Sequence, residues 1–157
     1  MTLVSYLHTL SQVLRFQQEP WRVAESWAAL LTFALAALSL QLGHSVVLFL
    51  SRVQARQFVL SLLVGSLFHV LALLLWSGLI YLSLALSVEQ PISVLRVLVL
   101  VGLAQMPHLF SILSFVPLLG LGIEWLLWLW SLLLTSFALQ VGLDLPPLQA
   151  VLSVGVG

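Results

Sequence analysis

Ten charged side chains serve all 157 residues of this chain, and their placement limits the fold more than any motif does. They stand at Arg15, Glu19, Arg22, Glu25, Arg52, Arg56, Glu89, Arg96, Glu124 and Asp144. The charge-free runs between them are 26 residues (Ser26 to Ser51), 32 (Gln57 to Val88), 27 (Val97 to Ile123), 19 (Trp125 to Leu143) and 13 (Leu145 to Gly157). A helix needs about 20 apolar residues to cross a hydrocarbon core of roughly 30 Å. Lipid offers the backbone no hydrogen-bond partner, so helix is the expected state of each run. Four runs are long enough. The last gives only about 20 Å of helix and stops short of a full crossing.

Composition removes the soluble alternatives. Charged residues make up 6% of the chain, where a soluble domain carries roughly 25%. There is no cysteine, hence neither a disulfide framework nor a thiolate metal site. All five cations are arginines, and no basic run suits a nucleic acid. The expected fold is an all-α integral membrane protein with four complete transmembrane helices at about 27–50, 58–87, 97–116 and 122–141. A partial fifth segment follows at 145–157. Residues 1–25 form a separate amphipathic amino-terminal segment, and 26–157 form the transmembrane domain.

In that first segment Leu3, Leu7, Leu10 and Leu14 recur at helical spacing between polar residues, the pattern of a helix lying along the interface. It lacks the basic start and small-residue cleavage site of a signal peptide. Pro20 ends it, with Trp21 and Trp27 expected at interfacial depth. Four crossings place Arg15, Arg22 and Arg96 on one face and Arg52 and Arg56 on the other, too even a split to orient the chain. Glu124 opens the fourth span on the second face, beside exposed helix amides that favour a carboxylate. It is expected to pair with Arg52 or Arg56, the alternative being that it reaches headgroup water.

His44 is close to the end of the first span. His69 and His108 lie eleven residues into the second and third spans from opposite faces, so both reach about 17 Å depth, near the bilayer centre. Gln105, one turn from His108, joins the same level. Pro107 frees the Leu103 carbonyl from its helical donor. A polar midplane layer of His69, Gln105 and His108 reads either as a hydrogen-bonded layer fixing helix register or as a proton path, metal site or substrate contact. Two histidines and a glutamine make a poor metal site. With no paired carboxylates, nucleophile motif or phosphate loop, neither an enzyme nor a cofactor is expected, bound lipid aside. Ser39/Gly43 and Ser61/Gly65 have the spacing of close helix packing. Trp125, Trp128, Trp130, Trp76 and Tyr81 read as packing or interface residues, or as a wall for a lipid or quinone.

Around the third span the pattern becomes specific. Gly102, Ala104 and Pro107 form a Gly-x-Ala-x-x-Pro element, Pro117 and Gly120 a Pro-x-x-Gly turn, and Trp130-Ser131 a tryptophan–serine pair inside the fourth helix. With Glu19-Pro20-Trp21 leading into the first span, this resembles the membrane domain of the Yip (Ypt-interacting protein) family. The resemblance implies five membrane helices, a cytoplasmic amino terminus and no catalytic activity. Eukaryotic members are linked to small GTPases through a longer amino-terminal region. The short amino-terminal helix and truncated fifth span here point instead to a prokaryotic-type member in the bacterial cytoplasmic membrane. Its partners would be membrane lipids and other membrane-protein subunits, with the chain acting as a scaffold or accessory subunit. The competing expectation is a small transport or lipid-handling module built on the polar midplane layer.

Overall fold

The computed structural model describes residues 3–23, 25–50, 54–88, 91–116 and 119–156, and only the backbone of 3, 44–50 and 115. Its elements are α1 (Leu3–Leu14), α2 (Glu19–Arg22), α3 (Ser26–Leu50), α4 (Ala55–Ser87), α5 (Val94–Ala104), a 3-10 segment (Met106–Phe115), α6 (Gly120–Gly142) and α7 (Pro147–Val156). Ser26–Gly43, Ala55–Ser87, Val94–Ser114 and Gly120–Gly142 are long and apolar enough to cross a membrane, and α7 is a shorter apolar helix. No strand occurs among the described residues. The chain is an all-α, multi-pass membrane protein, and the expected spans match these stretches to within three residues at each end, except that the first was expected to run on to 50, seven residues past Gly43.

The helices differ sharply in what they bury. In the most apolar 18-residue stretch of the third span 67% of the residues are buried, against 6% in that of α4, whose buried residues are Leu73, Ser77, Ile80 and Leu84. A helix that is apolar all round and leaves most of its side chains uncovered by protein belongs against lipid. Small residues let the inner helices close up. Ala28, Ala29, Ala36 and Ala37 of α3 are buried, and a Cβ added at Gly102 of α5 would stand 3.3 Å from Ala29.

Expectation and structure part company within the third span. The spacing predicts one helix kinked at Pro107; instead α5 ends at Ala104 and the chain continues as ten residues of 3-10 helix. Proline has no amide to give and crowds the preceding turn. The hydrogen bonds on both sides therefore tighten to three-residue steps, Gln105 N to Gly102 O at 3.3 Å and His108 N to Gln105 O at 3.0 Å. Ser39 of α3 supplies partners from outside. Its hydroxyl donates to the Leu109 carbonyl (2.8 Å) and accepts from the Ile112 amide (3.1 Å). One turn on, a Cβ at Gly43 would fall 2.5 Å from the Ser111 carbonyl, so the two backbones touch where Ser39/Gly43 spacing predicts close packing.

Chain reversals use left-handed residues. Asp144 (φ 51°) closes α6, with Leu145 N bonded to Gln140 O at 3.0 Å, and Pro147 opens α7. Phe16 (φ 55°) closes α1 in the same way. That conformation costs a bulky residue roughly 1–2 kcal/mol. The Phe16 ring packs edge-on against Phe137 of α6 at 5.4 Å, which offsets part of the cost.

α1 folds back onto the bundle with a face rotated from the leucine stripe. Tyr6 and Val13 are buried and Leu10 and Leu14 partly so, while Val4 and Leu7 are exposed. Tyr6 sets this rotation: its hydroxyl bonds Thr32 of α3 at 3.0 Å and its ring lies 5.8 Å from Trp27. Trp21, expected as an interfacial anchor, is fully buried and packs edge-on against Phe137 at 6.4 Å. Arg96 of α5 donates to the carbonyls of Trp21 (2.6 Å) and Arg22 (2.9 Å), a cation satisfying the carboxyl end of α2. Arg22 and Arg96 thus share one side of the bundle, as the count of crossings requires.

Two measurements test these joints. Ser39→Ala removes both of its bonds to the 3-10 segment, and is expected to cost about 1–3 kcal/mol in detergent unfolding. Burial pushes the Tyr6 phenol above its ordinary value of 10.0, the Thr32 bond acting the other way. A raised folded-state value means that this contribution is complete below pH 10 and is lost as pH climbs through the raised value. Melting curves taken across about pH 9–11 should fall more steeply for the wild type than for Tyr6→Phe.

Candidate functional site

A 3-10 helix repeats every three residues, so side chains at i and i+3 stack on one line. The polar residues of this segment stand at that interval: Gln105, His108, Ser111 and Ser114. The switch out of α-helix aligns what an α-helix would spread around its axis. His108 Nδ1 lies 3.2 Å from the hydroxyl of the fully buried Ser111. Across from it, His69 of α4 places its ring 6.3 Å from the His108 ring, nearly perpendicular at 72°. His69 and His108 therefore meet, and Gln105 lines the same cleft with them.

These residues floor a larger feature. α4 and α6 flank the third span, and α7 bridges them at one end. Between the two helices is an open cleft of about 770 Å³, within the 300–1,000 Å³ usual for small-molecule sites. α4 lines it with His69, Ala72, Leu73 and Trp76, α6 with Glu124, Trp125, Trp128, Ser131 and Leu132, and α7 with Val154 and Gly155. Trp125 and Trp128 meet edge to face at 5.7 Å and 82° and form a right-angled corner. They are 63% and 50% exposed and form an open rim to the cleft.

Polar groups in the cleft are not all engaged. Gln105 is 2% exposed and Ser131 3%, and neither the Gln105 amide nitrogen nor the Ser131 hydroxyl has a partner among the described residues. Glu124 lines the cleft within electrostatic reach of His108, as does His69. Arg56 is exposed at the start of α4, and Arg52, the other expected partner of Glu124, lies outside the described residues. Among the described residues no group of three His, Cys, Asp or Glu is placed to hold a metal.

The remaining singled-out residues act in packing. Gly102 abuts Ala29, and Ala104 is fully buried. Pro107 sits in the first turn of the 3-10 segment. Gly120 begins α6 under the Ser114 carbonyl, too close for a Cβ. Trp130 packs partly buried against the core. Pro117 lies outside the described residues, as does the side chain of His44. Ser131, singled out for packing, also lines the cleft.

The sequence reading did not group Glu124, Trp128 and Ser131 with the histidines. The signal was present. These three recur at i, i+4 and i+7 on α6, and His69, Ala72, Leu73 and Trp76 at i, i+3, i+4 and i+7 on α4, each the spacing of one helix face. A scan against protein-family models, a search of curated proteins and a search of solved structures each return no match to this chain.

The His108–Ser111 bond gives the site a measurable test. His108→Leu and Ser111→Ala should each destabilise the protein in detergent. Because the two side chains are bonded partners, the double variant should lose about 1 kcal/mol less than the two losses combined.

Proposed function

We propose that this chain is a small non-enzymatic membrane protein that takes an amphipathic, lipid-dissolved molecule into the cleft between α4 and α6. The observation that carries this reading is a cavity of ligand size that brings His69, Gln105 and His108 together with the indoles of Trp76, Trp125 and Trp128. Purely structural polar layers are closed by their own side chains. Here two residues of the cleft lining, Gln105 of the layer and Ser131 of α6, keep a buried polar atom without a partner among the described residues, which supports binding over register-fixing alone. Lipid handling or transport of a lipid-like molecule is the corresponding activity.

A second reading, the Yip-like scaffold or accessory subunit of a larger assembly in a bacterial membrane, draws on the residue pattern and on α4. That helix presents apolar side chains along its whole length, among them Leu60, Phe68, Leu75 and Leu86, to which lipid or another subunit's helix could pack. Native mass spectrometry after gentle extraction separates the two. The first reading expects a monomer carrying a lipid-sized adduct that disappears in Ala72→Trp, where the new indole fills the cleft. Equal adducts in both proteins, or a stoichiometric second polypeptide and no adduct, would reject it in favour of the scaffold.

A further inference from the structure

The lining of the cleft specifies more than an amphipathic guest. No arginine is among its described residues, and the chain has no lysine, so a phosphate or carboxylate headgroup would meet no cation there. Glu124 of α6 lines the cleft and would face an ammonium head, but such a head brings no acceptor to the amide donor of Gln105. A neutral guest that carries an acceptor needs no cation and meets that donor.

The open hydrogen-bonding capacity then narrows the guest further. The Gln105 amide nitrogen is a donor with no acceptor among the described residues, and the Ser131 hydroxyl, also without a partner there, is able to donate or accept. A buried donor left unmade is unfavourable, so the complementary group is an acceptor oxygen. Gln105 sits at the junction of α5 with the 3-10 segment and Ser131 on α6, so the two donors approach from different walls. Trp76 on α4 stands across the cleft from the Trp125–Trp128 corner, and aromatic walls favour a flat ring by stacked or edge-to-face contact. The exposed indole rim leaves room for an apolar tail to remain in lipid.

Resting on the reading of the cleft as a ligand site, we propose that it binds a neutral ring with carbonyl acceptors on an apolar tail. This is the chemistry of a membrane quinone, with Gln105 and Ser131 donating to the ring oxygens and Trp76 and Trp128 flanking the ring. The guest is bound, and no electron transfer is part of the assignment.

The test uses the full chain in nanodiscs and a short-tailed ubiquinone, which quenches tryptophan fluorescence. Wild type is expected to show saturable quenching above the linear background of probe dissolved in lipid, and Ala72→Trp only the background. Gln105→Leu and Ser131→Ala should each raise the half-saturating quinone concentration about three- to tenfold, with far-UV circular dichroism unchanged. Linear quenching identical in wild type and Ala72→Trp overturns the quinone assignment, as does unchanged affinity in both polar variants. Saturable binding of dodecyltrimethylammonium with no quinone binding also overturns it, and assigns the cleft to a cationic head. In each of these cases the wider reading is judged separately, by whether the co-purifying adduct still disappears in Ala72→Trp.

Discussion

A backbone that crosses lipid must supply its own hydrogen-bond partners, and Pro107 stands in the middle of the most buried span without an amide to offer. The consequences of that conflict shape the rest of the molecule. α5 stops at Ala104, and its eleven residues reach only about 16 Å. The ten residues of 3-10 helix that follow rise about 2 Å each, so the pair still crosses a core of roughly 30 Å. A ten-residue 3-10 run has poorer bond geometry than α-helix and needs outside support. Ser39 gives it through two bonds, and Gly43 lets α3 come close enough to deliver them.

The cleft follows from the same segment. Its three-residue repeat keeps Gln105, His108, Ser111 and Ser114 on one line, where an α-helix would carry Ser114 to the opposite face. α4 and α6 pack against the third span from two sides, and α7 ties them at one end. Their side chains do not fill the space that remains. At the other end of the hierarchy, the joints that hold the amino-terminal segment (Tyr6 on Thr32, Arg96 on the end of α2, Phe16 on Phe137) lie apart from the cleft and fix α1 and α2 to the bundle.

The membrane fold was readable because charge is a strong signal in lipid: the ten charged positions bracket the apolar spans to within a few residues. The meeting of His69 and His108 was readable too, since equal depth from opposite faces is simple arithmetic on helical rise. What escaped was whatever depends on the helix type or on tertiary choice. Assuming 3.6 residues per turn hid the Gln105–His108–Ser111–Ser114 line, because only a period of three makes it a line. Glu124 was assigned to the end of a span by its position in the chain, whereas its face on α6 places it on the cleft. Leu7 and Tyr6 compete for the buried side of α1, and hydrophobicity alone favours Leu7. The Thr32 hydroxyl, 26 residues away, decides for Tyr6.

Selectivity in such a cleft comes from a different source than in a water-facing site. Apolar area cannot discriminate among guests that already reside in lipid, because moving a tail from lipid to an indole wall gains little. The gain lies in the polar atoms. Each buried group that is unmade in the empty protein carries a penalty of about 1–3 kcal/mol, and a guest that completes it recovers that amount. Two such groups span several kcal/mol, enough to concentrate one acceptor-bearing molecule over a large excess of lipid tails. The 3-10 segment keeps Gln105 at this level because its position is fixed by Pro107 and Ser39, neither of which lines the cleft. The same break that interrupts the span thus holds a hydrogen-bonding group ready where hydrocarbon offers it nothing.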